Sequence, residues 1–420
     1  MKKSILLKAP ILTRSGYGEH ARFVLRSLRT REDLFDIYIQ PLQWGATSWI
    51  STEDEERLWI DQTIEKTIVH IQQGGKFDMS AQVTIPNEWE RIADLNIGFT
   101  AGIETTKVAP IWLQKGNEQV NRIITISKHS VDSYKNTSAV ATNNSTGEKI
   151  DYRLTTQIDF VNYPAKSFEK LPSLELELGT DFNFLTVAQF GLRKNLPNTI
   201  KWFVEEFKDE NVGLVVKTNM AKNCLMDRQN TFQNLKNMLS NYPDRKCKVF
   251  LLHGDMTDEE MHSLYQHENI SALLALPHGE GFGLPIFEAA YSGLPVIATG
   301  WSGHLDFLVD EEGKENFYNV AFDLQPIQNE VVWENVLIPE SMWAYPREQS
   351  AKRQMRACYD DIVGEVSNTY ATNACNYSIS LQNRFSFEKM SKNIVDQILG
   401  FDSSLIELQD QQEVEVLEFE

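Results

Sequence analysis

The stretch that most constrains the fold is residues 271–306, with the sequence SALLALPHGEGFGLPIFEAAYSGLPVIATGWSGHLD. It starts with an apolar run at 273–276 that stops at Pro277, as expected of a short strand buried on both faces of a parallel sheet. A glycine-rich loop comes next, a helix is predicted from Pro285, and the apolar residues 296–299 indicate a second strand. This order of strand, loop, helix and strand predicts an α/β fold with a parallel sheet.

Three glycines and two glutamates in this stretch indicate a binding site. Gly279, Gly281 and Gly283 have no β-carbon, so backbone N–H groups can approach an anionic ligand where the helix begins. Glu280 and Glu288 are about two helical turns apart, so both can face the same side. A carboxylate can accept two hydroxyl donors at once, and the vicinal diol of a sugar or a ribose provides two. The pattern therefore predicts a site for a sugar or a nucleotide.

The string EGFGLPIFE at 280–288 resembles the E-x7-E signature of retaining, nucleotide-sugar-dependent glycosyltransferases of the GT-B fold, the group 1 or family 4-like enzymes. The resemblance implies two Rossmann-like α/β domains that face each other across a cleft, and a C-terminal helix that crosses back to the first domain. It also implies transfer of a sugar, with retention, from a nucleotide sugar to an acceptor hydroxyl. In that family the first glutamate lies at the donor sugar and the second holds the ribose hydroxyls, which implies these roles for Glu280 and Glu288. The residues between them that would contact the donor are Gly281, Phe282, Gly283 and Leu284.

The alternation of predicted strands and helices along the 420 residues agrees with two such domains. The expected parts are an N-terminal acceptor-side domain at 1–170, a C-terminal nucleotide-sugar-binding domain at 171–385 with a helical insertion at about 341–378, a crossing helix at 386–400 and an acidic tail at 401–420. The linker between the domains is expected at 163–180.

Short apolar runs predict the individual strands. In the first domain these runs lie at 5–7, 36–40, 78–85, 95–100, 123–127 and 160–162, and in the second domain at 181–188, 212–216 and 248–252. The residues 137–152 are rich in Asn, Ser and Thr and are predicted to form a loop.

Three basic residues are predicted at the carboxyl ends of strands in the second domain. Arg193 and Lys194 lie in the turn after its first strand, and Lys217 follows the next strand. Positive charge there suits a diphosphate that departs with its electrons. The resemblance implies a catalytic role for Arg193 and Lys217 and a donor-binding role for Lys194. Many members of the family have the arginine where Gln189 stands here, so Arg193 would substitute for it.

The first domain adds three candidates. Gly16 and Gly18 are predicted to form a loop between the first strand and the first helix, where N–H groups point into the crevice at the strand ends. The resemblance implies that this loop faces the donor phosphates and the acceptor. Glu104, in the segment FTAGIETT, is the polar residue nearest to the position that faces the acceptor in the family.

Composition limits the partners. The net charge of −19 and the pI near 4.9 disfavour broad nucleic-acid binding, because the average surface repels phosphate. The four cysteines are widely spaced without a C-x-x-C motif, which indicates neither a zinc site nor a disulfide framework and favours the cytoplasm. No apolar stretch approaches the roughly 20 residues of a membrane-spanning helix.

The sequence contains no Asp-x-Asp motif, the metal-chelating device of the other large glycosyltransferase fold. We therefore expect a metal-independent, front-face reaction without any cofactor, in which the nucleotide sugar is a co-substrate and cationic side chains replace Mg²⁺.

Two other functions fit the same fold. One is a non-catalytic protein that binds a nucleotide sugar or a glycan, and the other is a sugar-nucleotide epimerase. Donor binding without hydrolysis or transfer would indicate the first, and a product formed from the nucleotide sugar alone would indicate the second. The residues do not identify the donor sugar, its base or the acceptor. Glycans, lipids, proteins and modified DNA bases all remain open as acceptors.

Overall fold

Two six-stranded parallel sheets form the centres of two domains in the computed structural model, which describes residues 2–45, 47–142 and 149–400. The expected tail at 401–420 and the middle of the expected loop, 143–148, lie outside the described residues. The predicted α/β architecture of two Rossmann-like domains is confirmed.

The first domain takes its elements from the N-terminal part of the chain. Its strands are β1 (Lys3–Ala9), β2 (Phe35–Pro41), β3 (Met79–Val83), β4 (Leu95–Phe99), β5 (Arg122–Thr125), β6 (Ala139–Thr142), β7 (Lys149–Tyr152) and β8 (Gln157–Phe160). Its helices are α1 (Gly16–Arg29), α2 (Glu55–Gln72), α3 (Pro110–Gln119) and α4 (Lys128–Lys135). The sheet order is β2-β1-β3-β4-β5-β8, and β6 and β7 form a separate antiparallel pair.

The second domain repeats the architecture. Its strands are β9 (Phe182–Val187), β10 (Val212–Lys217), β11 (Lys248–Leu252), β12 (Ala272–Ala275), β13 (Val296–Thr299), β14 (Tyr318–Val320), β15 (Phe322–Pro326) and β16 (Met342–Pro346). Its helices are α5 (Leu196–Glu206), α6 (Leu225–Leu239), α7 (Asp258–Tyr265), α8 (Leu284–Tyr291), α9 (Leu305–Leu308), α10 (Glu348–Val363), α11 (Tyr370–Arg384) and α12 (Phe387–Leu399). The sheet order is β11-β10-β9-β12-β13-β14, beside an antiparallel pair of β15 and β16.

Apolar periodicity explains how α1 packs on the first sheet. Its residues Ala21, Val24, Leu25 and Leu28 follow the i, i+3, i+4, i+7 spacing and are all fully buried. The helix begins where the Ser15 side chain accepts a hydrogen bond from the Gly18 N–H and so caps the first turn. The start of α1 therefore lies at the carboxyl end of β1, on the side that faces the second domain.

Two connections join the domains. Residues 163–180 have no regular secondary structure, as expected of a linker. The last helix, α12, is capped by Ser386 and packs against α1 of the first domain, with Ile394 and Ile398 fully buried. The Arg122 guanidinium in β5 donates a hydrogen bond to the Gln397 carbonyl at 3.1 Å. The chain thus crosses back as the resemblance implied.

The structure differs from the predicted elements in two places in the first domain. The described ends of the predicted loop at 137–152 form the hairpin strands β6 and β7, because Ala139 pairs with Tyr152 and Thr142 with Lys149. The segment is rich in polar residues, so its composition predicted a loop and not a strand pair. The strand predicted at 160–162 is β8, which occupies earlier residues and pairs with β5 through Ile158 and Ile123.

The residues 341–378 do not consist of helices alone. They begin with β16, which pairs with β15, and continue with α10, which packs on α5 and β14 of the second sheet. Ala351, Met355 and Cys358 of α10 are fully buried in the core of that domain. This segment is therefore part of the support of the second sheet.

Candidate functional site

A cavity of about 670 Å³ lies between the two domains. It opens at the carboxyl ends of β9, β10 and β12, which is where open parallel sheets bind ligands. All but two of the predicted site residues line it, namely Gly16, Glu104, Arg193, Lys194, Lys217, Glu280, Gly281, Phe282, Gly283, Leu284 and Glu288. The exceptions are Gly18 and Gly279.

Glu280 is the centre of an ion cluster. Its Oε1 accepts a hydrogen bond from Lys194 Nζ at 2.5 Å, and its Oε2 accepts one from Arg193 Nη1 at 3.1 Å. Burial alone would favour the protonated carboxyl, but the Lys194 ammonium and the Arg193 guanidinium outweigh it and lower the pKa of Glu280 to about 2. Glu280 is therefore anionic at every physiological pH, and each of its oxygens faces a cation.

Arg193 connects the glycine-rich loop at residues 279–283, called the donor loop, to the first domain. It also donates to the Gly279 carbonyl at 2.9 Å, and its Nη2 lies 3.6 Å from Glu104 Oε1. Burial opposes its charge, but Glu104 and Glu280 hold the pKa of Arg193 above its ordinary value. Glu104, predicted on the acceptor side, thus lies in the cavity as a partner of Arg193.

Lys217 occupies a different part of the cavity wall. It ends β10, and its ammonium donates a short hydrogen bond to the Gly254 carbonyl. Burial lowers the pKa of Lys217, and Asp255 and Glu260 oppose that shift. The three predicted cations therefore form one close pair around Glu280 and one separate residue.

Glu288 has a different environment from that of Glu280. The Tyr265 hydroxyl donates to its Oε2 at 3.0 Å. Burial raises the pKa of Glu288 to about 7, although the Lys166 ammonium lowers it. Lys166 lies in the linker and forms ion pairs with Asp258 of α7 at 2.7 Å and with Glu19 of α1 at 3.4 Å. A cation of the linker thus joins the two domains beside Glu288.

The glycines of the donor loop allow a close contact between the domains. A β-carbon on Gly279 would lie 2.1 Å from the Glu104 carbonyl oxygen, and one on Gly281 would lie 2.2 Å from that of Ala101. These glycines were predicted to admit a ligand, whereas in the structure they admit backbone of the first domain. Gly283 differs, because its φ of +91° is a conformation that side chains disfavour, and it caps the N-terminus of α8.

The segment 302–304 packs against the donor loop and forms a hydrogen bond with it. The Ser302 hydroxyl accepts a hydrogen bond from the Glu280 N–H at 2.9 Å, although Ser302 has a φ of +89°, which normally favours glycine. A β-carbon on Gly303 would lie 1.9 Å from the Gly281 carbonyl oxygen. His304 Nε2 lies 2.6 Å from the Thr299 carbonyl oxygen. These contacts fix the loop that carries Glu280.

Gly16 and Gly18 are not in a loop, contrary to the prediction. Both lie in the first turn of α1, because the cap by Ser15 starts the helix at Gly16. Gly16 lines the cavity, and a β-carbon there would meet no atom within 4 Å. Gly18 faces inward, where a β-carbon would lie 2.0 Å from the Thr13 carbonyl oxygen. Gly18 is therefore required for packing, and the structure does not place it at the candidate site.

The first domain contributes residues that the sequence reasoning missed. The rings of Tyr17 and Trp44 lie 4.2 Å apart on the cavity wall, and Arg14 is close by. The Tyr17 hydroxyl shares a hydrogen bond with Thr100 at 2.8 Å. The aromatic-rich segment around Trp44 was the signal for this wall. Nothing local in the sequence singles out Lys166.

A second and larger cavity of about 870 Å³ adjoins the first. It shares Glu19, Tyr163, Asp258 and Leu284 with the interdomain cavity and extends to α12. It contains neither Glu280 nor the three predicted cations. We therefore assign the candidate site to the smaller cavity, where these groups meet.

Comparisons with known proteins identify a family match over the segment that contains many of these residues. Residues 168–319 match the family model described as Glycosyl transferases group 1, and this segment contains both glutamates and all three cations. The serotype-specific mannosyltransferase WbdA of Escherichia coli is 28% identical over 198 residues, which are 45% of this chain and 22% of that relative. The chain thus matches only a minor part of the length of that relative.

Solved structures are similar over nearly the whole chain. Anabaena HepE in complex with UDP and glucose has a TM-score of 0.60 and 12% identity, covering 95% of this chain and 100% of that one. Sucrose-phosphate synthase from Thermosynechococcus elongatus has a TM-score of 0.59 and 12% identity, covering 96% and 100%. At this identity the likeness establishes the fold, which is GT-B. Together with the family match it supports a GT-B glycosyltransferase.

Among the described residues, none of the helices is both long and apolar enough to cross a membrane.

Proposed function

We propose that the protein is a retaining glycosyltransferase that moves a sugar from a nucleotide sugar to an acceptor hydroxyl without a metal ion. The observation that carries this proposal is the interdomain cavity itself. It holds Arg193, Lys194, Lys217 and Glu280, which end or follow strands of the second domain, together with Glu288 in α8. This set has the charge and the acceptors that a nucleotide sugar requires.

In this proposal the second domain binds the donor. Glu288, when ionised, accepts hydrogen bonds from both ribose hydroxyls. The diphosphate lies between the Arg193–Lys194 pair and Lys217, at the N-terminus of α8, where free backbone N–H groups favour an anion. HepE, a structural neighbour, is recorded with UDP and glucose, which supports a donor of this class.

Transfer follows a front-face path. The acceptor oxygen forms a bond to the anomeric carbon while the bond from that carbon to the diphosphate oxygen breaks. The electron pair of the broken bond goes to the diphosphate, which also takes the proton of the acceptor hydroxyl. Arg193, Lys194 and Lys217 stabilise the charge that develops on the diphosphate.

Glu280 positions the sugar and does not act as a nucleophile or a base. Both of its oxygens accept hydrogen bonds from cations, and its pKa of about 2 makes it a weak proton acceptor. A covalent intermediate on Glu280 would require the carboxylate to leave Arg193 and Lys194. A front-face path requires no such separation.

We place the reaction in the cytoplasm. All four cysteines of the chain are free thiols in the structure, two buried and two exposed, which suits a reducing compartment.

The experiment is a screen of UDP-, GDP- and ADP-sugars for hydrolysis and for transfer to sugar acceptors. It includes glucose and mannose donors, because HepE is recorded with UDP and glucose and WbdA is a mannosyltransferase. NMR of the product distinguishes retention from inversion at the anomeric carbon. Tight binding without any turnover would favour a non-catalytic protein, and a new sugar nucleotide formed from the donor alone would favour an epimerase.

A further inference from the structure

Helix α6 and the loop before it expose large apolar side chains. Leu225 and Met226, in the first turn, are 70% and 71% exposed, and Phe232 is 57% exposed. Leu225 and Phe232 are seven positions apart and therefore share one face of the helix. Met220, in the loop before the helix, is also exposed. Neighbouring exposed groups of this size mark an interaction site more often than a solvated surface.

The same segment is basic in an acidic protein. Residues 218–239 contain three Lys and Arg and one Asp, a net charge of +2, although the whole chain carries −19. Lys222, Arg228 and Lys236 are exposed, and within the part of the chain that the structure describes none of them forms an ion pair. Asp227, the acid of this segment, is buried and bonded to backbone N–H groups and to His253. Its negative charge is therefore not on the surface that a partner would contact.

Helix α2 shows that exposed apolar groups alone do not define this surface. It exposes Leu58, Ile68, Val69 and Ile71 by 50–53% each. However, residues 54–72 contain five Asp and Glu and only two Lys and Arg. Of these two helices, only α6 combines the exposed apolar side chains with an excess of positive charge.

The position of α6 connects it to the candidate site. Thr218, Asn219 and Asn223, in the loop before the helix, line the interdomain cavity. The Asn223 amide also donates a hydrogen bond at 2.5 Å to Asp255, which lines the same cavity. The start of α6 is thus at the rim of the cavity.

We propose that a patch of α6 and the loop before it, called the α6 surface, docks on a membrane rich in anionic lipids. It is formed by Met220, Lys222, Leu225, Met226, Arg228, Phe232 and Lys236. Apolar side chains of such a surface enter the interface, and the basic side chains meet the headgroups. Three of its four apolar residues are Leu or Met, which suits acyl chains better than the aromatic stacking that single-stranded nucleic acid uses. Docking holds the rim of the cavity at the membrane.

Sedimentation of the full-length protein with vesicles tests this inference. We expect binding to vesicles of phosphatidylcholine and phosphatidylglycerol at low salt and little binding to phosphatidylcholine alone. The variant Leu225→Ser/Met226→Ser/Phe232→Ser should bind at least tenfold more weakly, and so should Lys222→Glu/Arg228→Glu/Lys236→Glu. All six positions are exposed, so both variants should fold, which circular dichroism checks.

The matched control is Leu58→Ser/Ile68→Ser/Val69→Ser, which removes three apolar groups of similar exposure from α2 and should leave vesicle binding unchanged. The inference is wrong if the wild type ignores anionic vesicles, or if the α2 variant loses as much binding as the α6 variants. It is also wrong if the α6 serine variant abolishes a dimer seen by sedimentation velocity while vesicle binding stays the same. Vesicle binding needs no sugar donor, so this outcome is independent of whether the protein transfers sugar.

Discussion

Glu280 and Glu288 are the same amino acid in the same cavity, yet their surroundings give them opposite properties. Two cations hold the Glu280 carboxylate and lower its pKa to about 2. Burial dominates at Glu288 and raises its pKa to about 7, with a tyrosine hydroxyl as its hydrogen-bond partner. One carboxylate is a permanent charge, and the other titrates near neutral pH. The two glutamates of the motif therefore have different chemical properties.

The largest expected effect follows from neutralising the permanent charge. Glu280→Gln should lower kcat by about 100- to 1,000-fold, the range for removing one preorganised polar group from an active site. Nucleotide affinity should be kept or increased, because Arg193 and Lys194 lose their competing carboxylate. Transfer kinetics and calorimetry with the nucleotide measure the two effects. Retained nucleotide binding also shows that the variant is folded, and an unchanged kcat would remove Glu280 from the reaction.

The matched change at the second glutamate should act on binding. Glu288→Gln should weaken nucleotide binding by about 1–3 kcal/mol, the range for losing hydrogen bonds to a charged group. The buried amide can still accept from Tyr265, so we expect the fold to persist. Calorimetry with the free nucleotide measures the change. An unchanged affinity contradicts the assignment of Glu288 to the ribose. Equal effects of both variants on kcat would contradict the different roles of the two glutamates.

The pH dependence should separate the two carboxylates further. Glu288 must lose its proton to bind the diol, so affinity for a nucleotide sugar should rise about tenfold between pH 6 and pH 8. The Glu288→Gln variant should not show this rise. A nucleotide sugar is the right probe, because its diphosphate has no proton to lose in this range. A flat profile in the wild type would mean that Glu288 is ionised throughout or does not contact the donor.

The two carboxylates should make the free energy of unfolding depend on pH in opposite directions. The pKa of Glu288 is raised on folding, so the folded protein holds an extra proton between about pH 4.5 and 7, and stability falls as pH rises through this window. The pKa of Glu280 is lowered on folding, so its contribution is present above its ordinary pKa and is lost as pH falls towards 2. Thermal melts of wild type and Glu288→Gln between pH 4.5 and 8 isolate the first effect.

The features that could be predicted from the sequence are the ones encoded locally. The run from β12 through Gly283 and α8 to β13 has the predicted order, because apolar spacing and helix-start signals act within a few residues. The different environments of the two glutamates depend on contacts between residues that are far apart in the chain. Glu280 meets Arg193 from 87 residues away in the chain, and Lys166 meets Glu19 across 147 residues.

The corrections have the same origin. Gly18 appeared as part of a phosphate-binding loop, but its contact with the Thr13 carbonyl makes it a packing residue. Gly281 appeared to serve a ligand, but it admits Ala101 of the first domain. Spacing shows that a glycine is needed, and only the folded neighbours show why.

The smallest expected effect concerns metal, and it tests whether the cations around Glu280 and at Lys217 are enough for the diphosphate. A diphosphate carries about two negative charges, and Arg193, Lys194 and Lys217 supply three positive ones, while Glu280 and Glu104 supply two negative charges beside Arg193 and Lys194. Arg193 and Lys194 have N–H donors beyond those that bind Glu280, so they can also contact phosphate, and the charge of a divalent ion is not required. Transfer should therefore continue at the same rate after treatment with EDTA and dialysis. A complete loss that Mn²⁺ or Mg²⁺ restores would mean that the Glu280 cluster holds the sugar only, and that the diphosphate depends on an ion bound elsewhere. In that case Glu280→Gln should no longer raise nucleotide affinity, which calorimetry with and without Mg²⁺ would detect.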